Sequence, residues 1–442
     1  MKAVNFAIAI ALALIAAAAS ADQFEKKFSR TFDYRGGRVS VENSFGGINV
    51  RTGAGNNVTV RATIRSSDAA LGREIRIETS EGPGISVKTV MPKINVRGSL
   101  SFSIDYDVVV PAEAPVLLSN HFGSIDATGL HAASELVNRQ GSIALRDSRG
   151  AQRLENSFGS IVVEHAEGNV DAKNTNGSIT ATNIDGRLSA QNRFGSIAIN
   201  GVKGDVAATN SNGGVEIHDV GGSAAIVNGF GTTRFGRIGR NLAVTSSNGR
   251  IEGSGVGGTA TLTGNFDAIE IKDVGGATRI ANGNGAVTVA DVRGNLSVET
   301  RFGPVRADRI RGSLNVVNGN GSVTAAGIAG DAKVRASFGS VFLRDVDGAV
   351  DVQNQNGAIS VAALRGSCNP VVLHTSFSSI KVAVPRNVGY NVEARTTFGS
   401  INAEVPINAM HRSEGTLTGT INGGGCRMEL VNSNGSVTIA GE

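Results

Sequence analysis

The sequence predicts an all-β chain wound as a single-stranded parallel β-solenoid, with rungs of ~18 residues grouped in 36-residue pairs. Three observations carry this. A glycine recurs every 18 residues without insertion, apolar residues alternate with polar ones between the glycines, and the residue before each glycine alternates between Phe and an amide. The composition agrees: 59 Gly, no Trp, three Tyr and only eight Pro describe short strands and tight turns, not a disordered chain.

The chain opens on Lys2, the apolar run "FAIAIALALIAAAA" and "ASA" ending at Ala21. This is the pattern of an export signal over residues 1–21. It is too short and too Ala-rich for a membrane span, and nothing later approaches ~18 apolar residues in a row. The expectation is a mature chain from Asp22 without a transmembrane span, located in the periplasm, at the cell surface or secreted. The formal net charge is +4, with the basic residues scattered, so nucleic acid is not an expected partner. Cys368 and Cys426 are the only cysteines. In an exported protein they form a possible disulfide, with two unpaired thiols as the other reading.

Residues 22–119 contain one repeat-like start, "VENSFGGINV", and longer strands such as "NNVTVRATIRS" and "SFSIDYDVVVP". They read as an N-terminal β region that covers one end of the stack. The regular array runs over 120–366. Its first glycine series is Gly123, Gly141, Gly159, Gly177, Gly195, Gly213, Gly231 and Gly249, then, after Asp267 interrupts once, Gly285, Gly303, Gly321, Gly339 and Gly357. A second glycine recurs nine residues further on, as at Gly150, Gly168 and Gly186. Counting from the first glycine, apolar residues fall at +2, +4, +7, +11 and +13. Period two within each piece gives strands with one buried face, and the slip between +4 and +7 predicts a bend there. Stacked at ~4.8 Å per rung, the array predicts a rod of roughly 60 Å. One 36-residue coil is the alternative to two 18-residue rungs. The shorter rung is preferred, because every other position repeats at 18.

Three residues before the glycine stands an asparagine: Asn120, Asn138, Asn156, Asn174, Asn192, Asn210, Asn228, Asn282, Asn318 and Asn354. Parity puts it on the buried face. There a stacked amide can bond its equivalents above and below, or satisfy backbone groups left free at a corner. A row of sugar-binding amides is the functional alternative. Directly before the glycine stand Phe122, Phe158, Phe194, Phe230, Phe266, Phe302 and Phe338, with Gln140, Asn176, Asn212, Asn248, Asn284, Asn320 and Asn356 between them. Core packing is the commoner fate of such Phe residues. The alternative is an exposed stripe that binds a glycan or a protein partner.

Six residues after the glycine an aspartate is frequent, as at Asp147, Asp219, Asp273, Asp291 and Asp345, and a cation precedes it in Arg146, Lys272 and Arg344. Turn chemistry with surface ion pairs is the expected role. Asp273 and Asp291 on adjacent rungs are the one pair that could hold Ca²⁺ or act as catalytic carboxylates. The six His fall at unlike repeat positions, and no metal, nucleophile or phosphate-loop motif is present. No catalytic residue, cofactor or metal ligand is therefore expected. After Gly366, residues 367–442 carry longer rungs: the spacing opens to 21 between Ser378 and Gly399, and "VNSNGSVTIAGE" ends the chain.

The stretch "YDVVVPAEAPVLLSNHFGSIDATGL" from Tyr106 to Leu130, together with "HTSFSSIKVAVP", "RTTFGSINAEVP" and "GGGCRMELVNSNGSVTIAGE", resembles the bacterial putative-adhesin family, a β-strand-repeat domain of unknown function. The resemblance covers essentially the whole mature chain. It implies an exported or envelope-associated protein and brings no catalytic residues with it. The expected function is a non-enzymatic binding or scaffold protein whose repeated surface meets envelope or extracellular polysaccharide, or an envelope protein. A polysaccharide lyase or hydrolase on the same scaffold, and a purely structural periplasmic spacer, are the alternatives. The segment from Gly231 to Gly258, with "TTRFGRIGR" and "GSGVGG", is where a specialised patch would sit.

Overall fold

In the computed structural model, each 18-residue rung contributes two strands to two different sheets. The structure describes residues 24–93, 99–365 and 368–442, so the export segment expected over 1–21, and Gly366, lie outside the described residues. The rung from Val170 is representative. Val170–Asn176 pairs in parallel with Gln152–Phe158 before it and Leu188–Phe194 after it, with Asn174 facing Asn156 and Asn192. Ile179–Ile184 pairs in the same way with Ile161–Glu167 and Ile197–Val202. The register pairs residue i with i+18, which settles the coil at 18 residues and leaves the 36-residue unit as a pair of rungs.

The two sheets enclose one continuous core. Leu188, Ala190 and Asn192 point inward from the Asn-bearing sheet, and Ile197, Ile199 and Val202 from its partner. Small and β-branched side chains fill this space because each rung leaves only ~4.8 Å of height for its own layer.

Two corners join the sheets, and each imposes its own residue type. At the first, Gly195 has φ +113, and a Cβ on it would lie 2.3 Å from the carbonyl oxygen of Gly177 one rung earlier. Glycine is required there by backbone conformation and by close approach together. Asp267 takes that position at φ 88. The ladder bond there from Gly249 N–H to the Phe266 carbonyl lengthens to 3.4 Å, where the bond from Gly195 N–H to the Asn212 carbonyl spans 2.9 Å.

At the second corner the +6 residue is left-handed in every rung of the array. Asp147, His165, Asn183, Asp219, Arg237, Asp273, Asp291, Arg309, Asp345 and Ala363 all have φ between 51° and 58°, and Gly201, Gly255 and Gly327 share the conformation. Asp, Asn and Gly tolerate this region best. The twist it introduces turns the +7 residue inward, which is the parity slip seen in the sequence.

The ends depart from sequence order. Val39–Phe45 lies between Ile85–Val90 and Val116–Phe122, and Ile48–Gly53 lies between Phe102–Pro111 and Ile125–Thr128. The "VENSFGGINV" segment is thus an inner rung, and a later part of the chain covers it. At the other end, Cys426–Asn434 inserts between Val371–Phe377 and Tyr390–Phe398. The last motif of the chain is therefore not its last rung. Antiparallel strands finish the stack: Phe24–Asp33 and Asn57–Ser66 on one sheet at the N-terminal end, Arg76–Glu81 on the other, and Thr416–Ile421 with Asn408–Arg412 at the C-terminal end. The change to antiparallel pairing, with Lys26, Lys27 and Arg30 along the outermost strand, stops further parallel addition. The single helix among the described residues, Ala69–Glu74, is capped by Asp68, whose side chain accepts from the N–H groups of Ala70 and Leu71. Cys368 and Cys426 are joined in a disulfide, which ties the inserted strand to the segment leading into its neighbour.

Candidate functional site

The first corner is closed from inside by its asparagine. Asn174 Nδ2 donates to the Gly159 carbonyl at 2.8 Å, and Asn138, Asn156, Asn192, Asn210 and Asn354 repeat the bond to the preceding corner glycine at 2.8–2.9 Å. Asn120 reaches Gly46, Asn282 reaches Asp267 and Asn318 reaches Gly303, at 2.9, 3.1 and 3.2 Å. Asn228 instead donates to Gly231 of its own rung, at 3.0 Å. The bonds run from amide to backbone, not from amide to amide, because the glycine carbonyl turns into the core where the chain bends and has no ladder partner. These asparagines are buried, so they present no amides to a ligand, which corrects the sugar-binding alternative.

The phenylalanines lie outside. Phe158 and Phe230 are 53 % and 54 % exposed, and Phe122, Phe194, Phe266, Phe302 and Phe338 are exposed as well. The expectation of core packing is therefore corrected. The buried amide and the close-packed glycines leave no room for a ring inside the corner, so the side chain swings out along the edge of the rod. The sequence carries a signal for this. A core site does not accept Phe and Asn on alternate rungs, whereas an exposed site does.

Two residues missed by the strict 18-residue count extend the stripe. Phe377 and Phe398 are exposed, and both sit in register with Asn434 on the strand inserted between them. The order Phe338, Asn356, Phe377, Asn434, Phe398 thus holds in space although the chain order is broken. At the N-terminal end the alternation stops. Phe45 stacks on Phe122 with ring centroids 4.9 Å apart, and Phe102 packs edge-on against Phe45 at 4.7 Å. Along the array the rings stand two rungs apart, ~9.6 Å, with a small amide between each pair.

The opposite edge is a shallow groove over the left-handed residues. One stretch of about 660 Å³ is lined by residues including His131, Asp147, His165, Asp185, Lys203 and Asp219. The next stretch has Gly221, Gly239, Gly257 and Gly275 among its lining residues, with Arg237 and Arg293 beside them. The charges there are largely paired. Lys203 meets Asp185 at 2.7 Å, and His165 lies 3.7 Å from Asp147 and 3.2 Å from the Asn183 amide. Arg309 donates to both oxygens of Asp291, and hydrogen bonds from Arg237 hold the Asp219 carboxyl below the usual carboxylate range. The expected surface ion pairs form at Arg146, with Glu164 and Asp126 on flanking rungs, and at Arg344, with Asp345 beside it. Among the described residues, no group of three or more His, Cys, Asp or Glu is placed to hold a metal ion, and no helix is long and apolar enough to cross a membrane.

Fold and surface together define a β-solenoid with an aromatic edge. The chain belongs to the family described as Toastrack DUF4097, whose model matches residues 169–440, more than half of the chain. Among solved structures it is similar to a "putative cell adhesion protein" from Clostridium sporogenes ATCC 15579, at 9 % identity over 95 % of this chain and 100 % of that one, with a TM-score of 0.17. At that score the likeness bears on neither fold nor function. No curated protein matches the chain.

Proposed function

We propose that the protein is an exported, non-enzymatic binding protein whose aromatic edge presents a repeated surface to a polysaccharide of the cell envelope or its surroundings. The observation that carries this reading is the exposure of Phe122, Phe158, Phe194, Phe230, Phe266, Phe302 and Phe338 on alternate rungs. An exposed apolar row rimmed by polar residues marks an interaction surface. A sugar ring offers a flat face of C–H groups to the electron-rich face of a Phe ring, and the amides between the rings supply hydrogen bonds to hydroxyls. Each contact is weak. A linear polymer that meets many of them gains by multivalency.

Two features weigh against the lyase or hydrolase alternative. The array has no insertion between Val116 and Leu364 that could build an active-site loop. The groove carboxylates Asp219 and Asp291 are held ionised by arginines, the reverse of the raised pKa a glycosidase acid needs. Adsorption of the full chain to insoluble polysaccharides, compared with a variant carrying Phe158→Ala, Phe194→Ala and Phe230→Ala, tests the reading. The variant is expected to fold and to lose adsorption. Undiminished adsorption would place the surface elsewhere, and new reducing or unsaturated ends in the polymer would make the protein an enzyme.

A further inference from the structure

We infer that the polymer taken by the aromatic edge is acidic, a polysaccharide carrying carboxylates at intervals along its chain. This rests on the reading of the edge given above. Consider the four residues that turn each first corner, from two before the glycine to one after it. They include Arg139, Arg193, Arg250 and Arg301, all exposed. The only carboxylate at these positions in the array is Asp267. Some arginines elsewhere on the array are matched by acids on neighbouring rungs, as in Arg146 with Glu164, Arg149 with Glu167 and Arg234 with Glu252, whereas at the first corners, Asp267 aside, the acids themselves are missing. On this edge, among the described residues, Arg139, Arg193 and Arg301 form no ion pair, and Arg250 has a loose contact, 3.7 Å from Glu252.

Their spacing is regular. Arg139, Arg193, Arg250 and Arg301 belong to the rungs of Gly141, Gly195, Gly249 and Gly303, each three rungs from the next. Arg139, Arg193 and Arg301 stand two residues before the glycine and Arg250 one after it, so cations recur every ~14 Å along the corner edge, beside rings that recur every ~9.6 Å. The Arg193 guanidinium sits over the Phe194 ring, 5.2 Å from its centroid, so cation and aromatic share one contact surface. An arginine fork is suited to bidentate recognition of a carboxylate, and an unpaired arginine keeps that capacity free.

The same parts in a denser arrangement would suit single-stranded nucleic acid, where bases stack on aromatics and phosphates meet cations. The corner chemistry favours the sugar polymer. A binder of nucleic-acid strands tracks the backbone with a positively charged groove, whereas these corners are mostly Ser, Gly and Asn with only four arginines among them. Neutral amides and hydroxyls suit sugar hydroxyls, and the few arginines suit carboxylates carried on the same chain.

The test measures binding of the full chain to three probes: polygalacturonate, its fully methyl-esterified neutral form, and single-stranded polythymidine. The wild type is expected to bind polygalacturonate about tenfold or more tightly than the ester, and to lose that margin as salt screens exposed charges. The triple variant Arg139→Gln, Arg193→Gln and Arg301→Gln is expected to bind both sugar polymers at the ester's level. All three side chains are exposed, so unchanged circular dichroism is expected to accompany the loss. Equal binding of acid and ester by the wild type, or a preference retained by the variant, overturns the inference and leaves the aromatic-edge reading standing. Tighter binding of polythymidine, lost in the same variant, overturns it in favour of nucleic acid. Binding of no polymer removes both readings.

Discussion

Replacing Gly195 by alanine tests why the 18-residue clock is strict. The new Cβ would lie 2.3 Å from the Gly177 carbonyl oxygen and 2.7 Å from its carbon, on a backbone at φ +113. A non-glycine residue in the left-handed region costs about 1–2 kcal/mol. Relief of the clash must lift one rung from the next by the better part of an ångström. That stretches the bonds from Gly177 N–H to the Phe194 carbonyl and from the Asn192 amide to Gly177, now 2.9 and 2.8 Å, each worth about 1 kcal/mol. The sum is on the order of 3 kcal/mol, a fall in Tm of several degrees for a chain of this size. In a solenoid each rung contacts only its neighbours, so the damage is local. Hydrogen exchange is expected to accelerate over the rungs of Gly177, Gly195 and Gly213 and to stay unchanged near either end. A Tm within about 1 °C of wild type, with no local change in exchange, would refute the view that close approach enforces the glycine.

Four further outcomes follow from the same geometry. Asp267→Gly is expected to stabilise the protein by about 1 kcal/mol, because it removes left-handed strain and lets the 3.4 Å ladder bond at Gly249 contract; thermal unfolding reads it. Asn174→Ala leaves the Gly159 carbonyl unpaired in the core and is expected to cost about 1–3 kcal/mol in denaturant unfolding. The low end is expected, since Ala336 already occupies the same position in its own rung. Cys426→Ser opens a link spanning 58 residues and is expected to cost up to about 4 kcal/mol, read as early exchange in Cys426–Asn434 and its neighbours. Burial pushes the Tyr106 hydroxyl up to about 12 from an unfolded value near ~10. The raised value means that stability is complete below pH ~10 and falls by roughly 2–3 kcal/mol as pH climbs to about 12; Tyr106→Phe is expected to flatten that slope in an alkaline unfolding series.

The stack itself was legible because stacking forces identity. A corner whose carbonyl lies within 2.6 Å of the next rung's would-be Cβ strongly selects glycine, and the sequence prints it every 18 positions with Asp267 the one interruption in the array. The left-handed +6 site was visible only as a preference for Asp, since Arg237, Arg309 and Ala363 also occupy it. The side on which the phenylalanines fall was not legible from parity. Phe158 continues the inward phase of Leu154 and Asn156, and only the lack of space inside the corner expels its ring. Nor could the inserted position of Cys426–Asn434 be read, because "VNSNGSVTIAGE" suits an inner rung and an outer one equally. The choice of partner is a property of the surface that the fold itself does not depend on.

The central claim is that rings spaced two rungs apart along one edge bind a polymer as a row. Calorimetric titration of the full chain with a size-graded series of galacturonate oligomers tests it most directly. Affinity is expected to rise steeply once an oligomer spans the ~9.6 Å between neighbouring rings, and to keep rising with each further ring reached. In a variant with Phe194→Ala and Phe230→Ala the rise is expected to stall at oligomers too short to bridge the gap. Affinity that is independent of oligomer length, or a length dependence unchanged in that variant, would contradict the claim.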